Sequence, residues 1–143
     1  MKAHAVSAIA VSAACGADLL ALKAARDLDL RFRIVLPFEP ELFRKTSVID
    51  RPGEWGELFD DLIAKARSRR DLVVLGLAMG VDESYRRTNH VILQEAIAMA
   101  KSAQNCGALV IWNGEGYGSA DMTREFKSEA EHLGLTITEI LTL

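Results

Sequence analysis

The sequence predicts an α/β protein in which parallel strands are joined by helices. Apolar runs alternate with amphipathic stretches along the chain, and this is the pattern that repeated βα units produce. The chain has 143 residues, of which 50% are hydrophobic and 26% are charged, so we expect a single domain spanning 1–143. Its apolar runs, such as residues 72–75, are far shorter than the roughly 20 residues of a membrane span.

The first half of the chain begins the alternation and contains a long connection. We predict a strand over 5–12, a helix over 17–28, a strand over 32–36 that Pro37 ends, and a helix over 54–69. Residues 38–54 are expected to be irregular apart from a short helix near 41–45. A connection of this length is either a functional loop or a surface excursion, and the sequence leaves both alternatives open.

The second half continues the pattern and ends on an edge strand. We predict strands over 71–77, 108–112 and 135–141 and helices over 88–104 and 120–133, with Gly134 ending the last helix. The run over 71–77 is apolar from Leu72 onward, which is typical of a central strand buried on both faces. Together these elements predict a Rossmann-like, three-layer α/β/α fold with a mostly parallel sheet of about five strands. In such sheets ligands bind beyond the carboxyl ends of the strands.

Composition narrows the classes of function. The 17 Lys+Arg and 20 Asp+Glu residues give a net charge of -3, which disfavours a generally basic nucleic-acid surface. The arginine-rich run over 67–70 is expected to complement a helix C-terminus. Cys15 and Cys106 form no CxxC pair, so we expect neither a disulfide framework nor a zinc site. We therefore expect a cytoplasmic protein with two free thiols, no metal, no cofactor and no membrane segment.

The turn after the first strand contains small residues that would let a ligand approach the backbone. Gly16 can take a φ value that other residues avoid, and the N–H groups of Gly16, Ala17 and Asp18 can hold an anion at a helix start. Asp18 would cap the helix or accept a hydrogen bond from a sugar hydroxyl. Cys15 adjoins the same helix start, but no histidine is placed as its base. The alternative is a plain strand-to-helix turn, since both GxGxxG and GxxxxGK[ST] are absent.

Two further segments lie ahead of predicted helices. Arg86, Arg87 and Asn89 would clamp a phosphate or a carboxylate, or they would be solvated charges and a cap. Residues 113–121 contain three glycines and would form a second backbone cradle, or a flexible turn. The candidate ligand-binding residues are therefore Cys15, Gly16, Ala17, Asp18, Arg86, Arg87, Asn89, Gly116, Tyr117, Gly118 and Ser119.

Three segments carry a resemblance to a known family. They are SAACGADLLA at 12–21, YRRTNHVILQEA at 85–96 and WNGEGYGSADM at 112–122. They resemble the SLOG superfamily, the Rossmann-like group that includes the DNA-processing protein A domain and the LONELY GUY phosphoribohydrolases. Segments 36–48 and 50–56 are also similar to SLOG-type domains of bacteria, so the resemblance covers most of the chain. It implies a crevice for a nucleotide or nucleotide-derived ligand, with phosphate at 16–18 and again at Gly116, Gly118 and Ser119.

The chain departs from that family in two places. The phosphoribohydrolases carry a Pro-Gly-Gly-x-Gly-Thr-x-x-Glu loop, and Met122 stands where their catalytic glutamate would be. Asp121 lies one residue before that position and Glu125 one turn after it. The family also has an extra strand and helix ahead of the first turn. We therefore expect a shortened domain, one that lacks part of the usual site, or one that completes its sheet with a partner.

These observations support three hypotheses of function. The first is non-enzymatic binding or sensing of a nucleotide-type ligand, with phosphate at the Gly16 and Gly118 turns, Arg86 and Arg87 as its counter-charges, and Asp18 on the ribose. The second is hydrolysis or transfer at an N-glycosidic bond, with Asp121 or Glu125 as the catalytic group. The third is an assembly domain with a vestigial site. A homo-oligomer, in particular a dimer, is expected in each case.

Overall fold

The computed structural model describes residues 6–50, 52–112 and 119–141. Within them the order of elements is β1 (Ala8–Val11), α1 (Ala17–Asp27), β2 (Arg31–Leu36), α2 (Pro40–Ser47), α3 (Trp55–Ser68), β3 (Leu72–Val74), α4 (Asp82–Ala100), a short 3-10 helix (Ala103–Asn105), β4 (Gly107–Trp112), α5 (Ser119–His132) and β5 (Thr136–Leu141). The predicted α/β class is confirmed. The chain divides into two compact units, Met1–Met79 and Gly80–Leu143.

The first unit contains a three-stranded parallel sheet in the order β1-β2-β3. Ala8 pairs with Arg31, and Ile34 pairs with Leu72. Because the strands follow one another in sequence order, right-handed crossovers place their helices on the same face of the sheet. Accordingly α1 and α3 contact each other.

The core of the first unit is built from large apolar side chains on all of its helices and on β2. Those of Leu22, Ile34 and Leu62 are completely buried. In α2, Phe43 is buried between Phe38 and Phe59, with ring centroids 5.9 and 6.1 Å away. The predicted short helix in the 38–54 connection is therefore confirmed, and it extends over eight residues because Pro40 starts it and Phe43 anchors it in the core.

The second unit contains β4 and β5, which pair in parallel from Gly107↔Thr136 to Trp112↔Leu141. One face of this two-stranded sheet packs with α4 and α5 around a cluster of small and medium side chains. The buried members are Leu93, Cys106, Ala108, Ala130 and Leu135. Leu109, Ile111 and Ile140 are 42 to 54% exposed, so the second unit leaves apolar side chains of both strands outside this cluster.

The prediction of one five-stranded sheet is wrong. The five described strands form two sheets, of three and two strands. Hydrophobic periodicity identifies a strand, but it carries no information about which strand edges pair, since that depends on long-range contacts. The prediction of a central strand at 71–77 is also wrong. Here β3 covers Leu72–Val74 at the edge of its sheet and is half-buried, while β2 is central.

A third prediction that needs correction concerns α4. We expected it to span residues 88–104, but it begins at Asp82 and ends at Ala100, and the next residue, Lys101, takes a left-handed conformation with a φ of 69°. Asp82 and Glu83 stabilise the earlier start because negatively charged side chains in the first turn interact favourably with the positive end of the helix dipole. Among the described residues, no helix combines the length and apolar character that a membrane crossing requires.

Candidate functional site

The turn between β1 and α1 has an open and uncapped helix start. Gly16 is the N-cap residue, with φ 98° and ψ -129°, and no side chain caps the helix there. A Cβ atom added to Gly16 would meet no atom within 4 Å, so the backbone at this point faces open space. The Cys15 N–H donates to the Ser47 carbonyl over 2.9 Å, and this bond ties the turn to the end of α2.

The first backbone donors of α1 remain available to a ligand. The bonds that begin the helix are donated by Leu19 to the Ala14 carbonyl, over 3.3 Å, and by Leu20 to the Gly16 carbonyl, over 3.0 Å. Within the part of the chain that the structure describes, no acceptor meets the N–H groups of Gly16, Ala17 and Asp18. Free N–H groups at a helix start are suited to bind an anion.

Asp18 is the titratable group of this turn. Its Oδ2 atom accepts a hydrogen bond from the Ala14 N–H over 3.3 Å. Burial of the carboxyl group raises the pKa of Asp18 to about 6, although the bond from Ala14 acts in the opposite direction. The carboxyl is therefore mostly ionised at pH 7 and accepts hydrogen bonds, whereas below pH 6 it also donates one. This makes Asp18 a partner for a hydroxyl group rather than for a phosphate.

The other turns at the carboxyl end of the three-stranded sheet are less suited to bind an anion. The start of α2 also lacks a side-chain cap, but Glu39 and Glu41 flank it. After β3 the chain turns at Gly76, which has a φ of 67°. The Leu77 N–H then returns to the Pro37 carbonyl over 2.7 Å, so this backbone donor is already used. The first turn of α1 also contains an acidic residue, Asp18, but the start of α2 has two glutamates and loses a backbone donor at Pro40, so the start of α1 is the better anion site of the two.

The second unit has a cavity of about 500 Å³ along α4. Its described lining consists of Glu83, Arg86, Arg87, His90, Val91 and Gln94. Arg86 donates from Nε to Glu125 of α5 over 2.7 Å, and this hydrogen bond raises the pKa of the Arg86 guanidinium. His90 likewise contacts Glu129 through Nδ1. Among the described residues Arg87 makes no ion pair, although Glu83 lines the same cavity one turn earlier in α4.

The structure corrects the predicted role of the α4 segment. Arg86, Arg87 and Asn89 lie four residues or more beyond the start of α4 at Asp82, so they do not belong to an open helix start. Backbone N–H groups at that depth bond within the helix. Any anion bound here must therefore be held by side chains. Arg86 would have to exchange its bond to Glu125, whereas Arg87 is exposed and can approach a ligand directly.

The third predicted segment is described only in part. Gly116, Tyr117 and Gly118 lie outside the described residues, as do the side chains of Ser119 and Asp121. Ser119 is the first residue of α5, one residue earlier than we predicted. Glu125 is exposed, and Arg86 engages its carboxylate, so in this arrangement Glu125 is not free to serve as a base.

Sequence reasoning missed two features of these sites. The contact between Cys15 and Ser47 joins residues 32 positions apart, and no local pattern predicts it. Glu83 was missed as a cavity residue because α4 was expected to begin at residue 88, whereas His90 and Gln94 lie inside the predicted helix and were not grouped with the arginines. Their spacing with Arg86 and Arg87 repeats every three or four residues, and this signal could have revealed a shared helix face.

Comparisons with protein-family models, with curated proteins and with solved structures find no match to this chain. Over residues 6–50, 52–112 and 119–141, no group of three His, Cys, Asp or Glu side chains could hold a metal ion.

Proposed function

We propose that this chain binds a nucleotide-type ligand through the turn between β1 and α1. The observation that carries the proposal is the uncapped start of α1, where three backbone N–H groups without described acceptors adjoin the open space beside Gly16. The resemblance of this turn to the SLOG superfamily favours the same ligand class. A phosphate would accept hydrogen bonds from these N–H groups and gain from the positive end of the helix dipole.

Asp18 supports a ligand that also carries hydroxyl groups. Desolvation raises the pKa of the Asp18 carboxyl, and carboxyl groups perturbed in this way are common at binding sites. An ionised carboxylate repels phosphate but accepts hydrogen bonds from the hydroxyls of a sugar. A ribose phosphate offers both groups, and the two halves of the turn would then bind different parts of one ligand.

Arg87 supports a separate contribution from the second unit. Its guanidinium lies at the cavity of about 500 Å³, which is open to solvent and whose described lining comes from α4 alone. We infer that Arg87 binds an anionic group there, with Gln94 as a neutral hydrogen-bonding neighbour. This inference is independent of the turn at Gly16 and has its own variant, Arg87→Ala.

The test is titration calorimetry of the protein with AMP, cyclic AMP, ADP-ribose and NAD. We expect at least one ligand to bind and Gly16→Ala to weaken that binding about tenfold or more, because a Cβ would occupy the open approach to the N–H groups. Gly134→Ala is the matched control, since Gly134 also has a positive φ and open space around a Cβ position. Failure of all four ligands to bind, or equal losses in both variants, would contradict the proposal.

Asp18 also favours a second candidate, hydrolysis or transfer at an N-glycosidic bond. A carboxyl group with a pKa near 6 can donate or accept a proton near neutral pH. Release of free base from nucleoside monophosphates, followed by chromatography, tests this reaction. We expect Asp18→Asn to abolish it and Glu125→Gln to retain it. Loss of activity in Glu125→Gln but not in Asp18→Asn would indicate that Glu125 of α5 is the catalytic group. If no free base is released, binding remains the proposed function.

A further inference from the structure

The amino edge of the three-stranded sheet, opposite the turn at Gly16, concentrates arginines. Arg31 and Arg33 lie at the start of β2, and α3 ends at Ser68 just before Arg69 and Arg70. Arg67 occupies the last turn of α3. We call these five residues, Arg31, Arg33, Arg67, Arg69 and Arg70, the arginine edge.

Over the described residues, the arginines of this edge outnumber its acidic residues, Asp29 and Asp71. Asp71 is the buried acidic residue among them, and its side chain is 3% exposed. Both Arg31 and Arg33 donate hydrogen bonds to its carboxylate over 2.9 to 3.1 Å. One carboxylate is thus shared by two guanidinium groups, and the side chain of Arg31 is still 51% exposed. Asp29 is exposed at the end of α1, whereas Asp27 is already held by Lys23 and Arg26.

Three arginines of the edge remain without an acidic partner in the described part of the chain. Arg67, Arg69 and Arg70 are exposed and make no ion pair there. Arg70 follows α3 with a φ of 60°, a left-handed conformation that is commonly given to glycine at a helix end. The Cα atom of Arg70 lies about 3.8 Å from that of Asp71, so Arg70 is next to the residue whose carboxylate Arg31 and Arg33 share.

An apolar side chain adjoins the same edge. Leu28 follows the last residue of α1 and is 70% exposed. Three residues later the chain enters β2 at Arg31, so Leu28 and Arg31 belong to one connection. The nearest aromatic residue in sequence, Phe32, is buried, so it cannot stack on a nucleic-acid base. The edge therefore offers guanidinium groups together with an aliphatic contact.

We propose that the arginine edge, together with Leu28, is a docking surface for an acidic protein segment that also carries apolar side chains. Guanidinium groups bind carboxylates with paired hydrogen bonds, as Arg31 does with Asp71. The exposed leucine favours a polypeptide, which can carry apolar side chains, over a nucleic-acid backbone, whose surface consists of phosphates and hydrophilic sugars. Electrostatic attraction at such a surface acts over about 8 Å at physiological ionic strength, so the overall charge of the chain matters less than the local excess of arginine.

The test uses a fluorescein-labelled twelve-residue peptide of Glu, Asp and Leu, with a second peptide in which Gln and Asn replace the acids. Anisotropy titrations are made at 50 and 200 mM NaCl. We expect the acidic peptide to bind and the neutral one to fail, with roughly tenfold weaker binding at the higher salt concentration. Arg69→Glu/Arg70→Glu should weaken binding more than tenfold, and Leu28→Ser about threefold.

Matched variants separate a loss of docking from a loss of folding. Arg70→Gly removes one charge while relieving the left-handed backbone, so it should fold well and weaken binding about threefold. Lys101→Gly makes the same change at a φ of 69° in the second unit and should leave binding unchanged.

Three outcomes would overturn the proposal. Binding of a labelled twenty-nucleotide single strand without binding of the peptide would assign the edge to nucleic acid. Self-association of the protein in sedimentation, abolished by Arg69→Glu/Arg70→Glu, would assign it to a second copy of this chain. Absence of all binding would leave the arginines as partners of the helix end.

Discussion

The two units share a βα construction but differ in how they bury apolar side chains. The first unit contains the completely or almost completely buried Phe32, Phe59, Leu19 and Leu62. In the described part of the second unit, Leu93 is the large side chain buried to that degree, and alanines supply much of the surrounding core. The free energy gained on folding increases with the apolar surface buried, so we expect the first unit to be the more stable.

Their charges differ as well. Residues 1–79 contain twelve Lys+Arg and eleven Asp+Glu, whereas residues 80–143 contain five and nine. The first unit uses its charges in Arg–Asp pairs that join α1 and α2 to α3. The second unit joins α4 to α5 through Arg86–Glu125 and His90–Glu129. The comparison teaches that the net charge of -3 conceals one nearly neutral unit and one acidic unit.

The largest expected effect is on the free energy of unfolding when a core side chain of either unit is truncated. Phe59→Ala should lower the free energy of unfolding by about 4 kcal/mol, because it removes a ring stacked on Phe43 and leaves a cavity. Leu93→Ala should cost about 2 kcal/mol, since many of its neighbours are only partly buried. Urea unfolding is followed by tryptophan fluorescence. Trp55 in a Trp112→Phe background reports on the first unit, and Trp112 in a Trp55→Phe background reports on the second.

Coincident transitions for the two tryptophans would break this comparison, because they would show that both units unfold together. A larger loss for Leu93→Ala than for Phe59→Ala would reverse the expected order of stability.

The next effect comes from Asp18. Folding raises the pKa of this carboxyl from 3.8 to about 6, so the ionised form is disfavoured in the folded protein. The free energy of unfolding should therefore fall as pH rises from about 4 to about 6, by at most about 3 kcal/mol, and stay level above that. Asp18→Asn should remove this decline and stabilise the protein at pH 7. Asp50→Asn, at an exposed position in the same unit, is the control.

Urea titrations at pH 4, 5, 6 and 7 measure the effect of Asp18. If Asp18→Asn is less stable than the original chain at pH 7, the carboxylate has an ionic partner or bonds that favour its charge, and the inference of a binding role for this group loses its basis.

A smaller effect of the opposite sign is expected at Asp71. Hydrogen bonding to Arg31, together with Arg33, lowers the pKa of this buried carboxyl despite its desolvation. Its contribution to stability is thus present above the unfolded pKa near 3.8 and is lost as pH falls below that value through the folded pKa. Asp71→Asn should cost about 2 kcal/mol at pH 7, because two guanidinium groups lose their shared carboxylate.

The difference between the original chain and Asp71→Asn should shrink as acid protonates Asp71. Asp61→Asn, which removes the exposed partner of Arg26, should cost less than 1 kcal/mol and serves as the control. Equal costs for the two substitutions would mean that burial adds nothing to the ion pair of Asp71.

The smallest effects on stability are expected at the exposed ion pairs that join helices. Arg44 meets Asp60 with two hydrogen bonds of 2.9 and 3.1 Å, whereas Arg86 meets Glu125 with one of 2.7 Å. Double-mutant cycles should give about 0.5 to 1 kcal/mol for the paired contact and about 0.2 to 0.5 kcal/mol for the single one. Both coupling energies should fall in 1 M NaCl. A stronger coupling for Arg86 and Glu125 would indicate that the second unit depends more on its surface pairs than its geometry implies.

Local patterns predicted the elements better than their partners. The apolar spacing of Leu19, Leu22 and Ala25 predicted α1, and the runs that became β2 and β4 were placed to within a residue. The start of α4 was missed because Asp82 and Glu83 were assigned to a loop. The candidate turn at Gly16 was found because a glycine after an apolar strand is a local signal. Its hydrogen bond to Ser47 was not found, because loop closure over 32 residues leaves no local trace.

By itself the sequence determined the α/β class, the alternation of strands and helices, and the small-residue turn that opens α1. These follow from side-chain periodicity and from the conformations open to glycine, which act over a few residues. Long-range contacts in the folded chain set the rest: the five described strands form two sheets, β2 rather than β3 is central, and Arg86 is bound to Glu125. Such pairings depend on which distant surfaces exclude water together. The energy of a contact between distant residues depends on both segments, so neither segment alone predicts it.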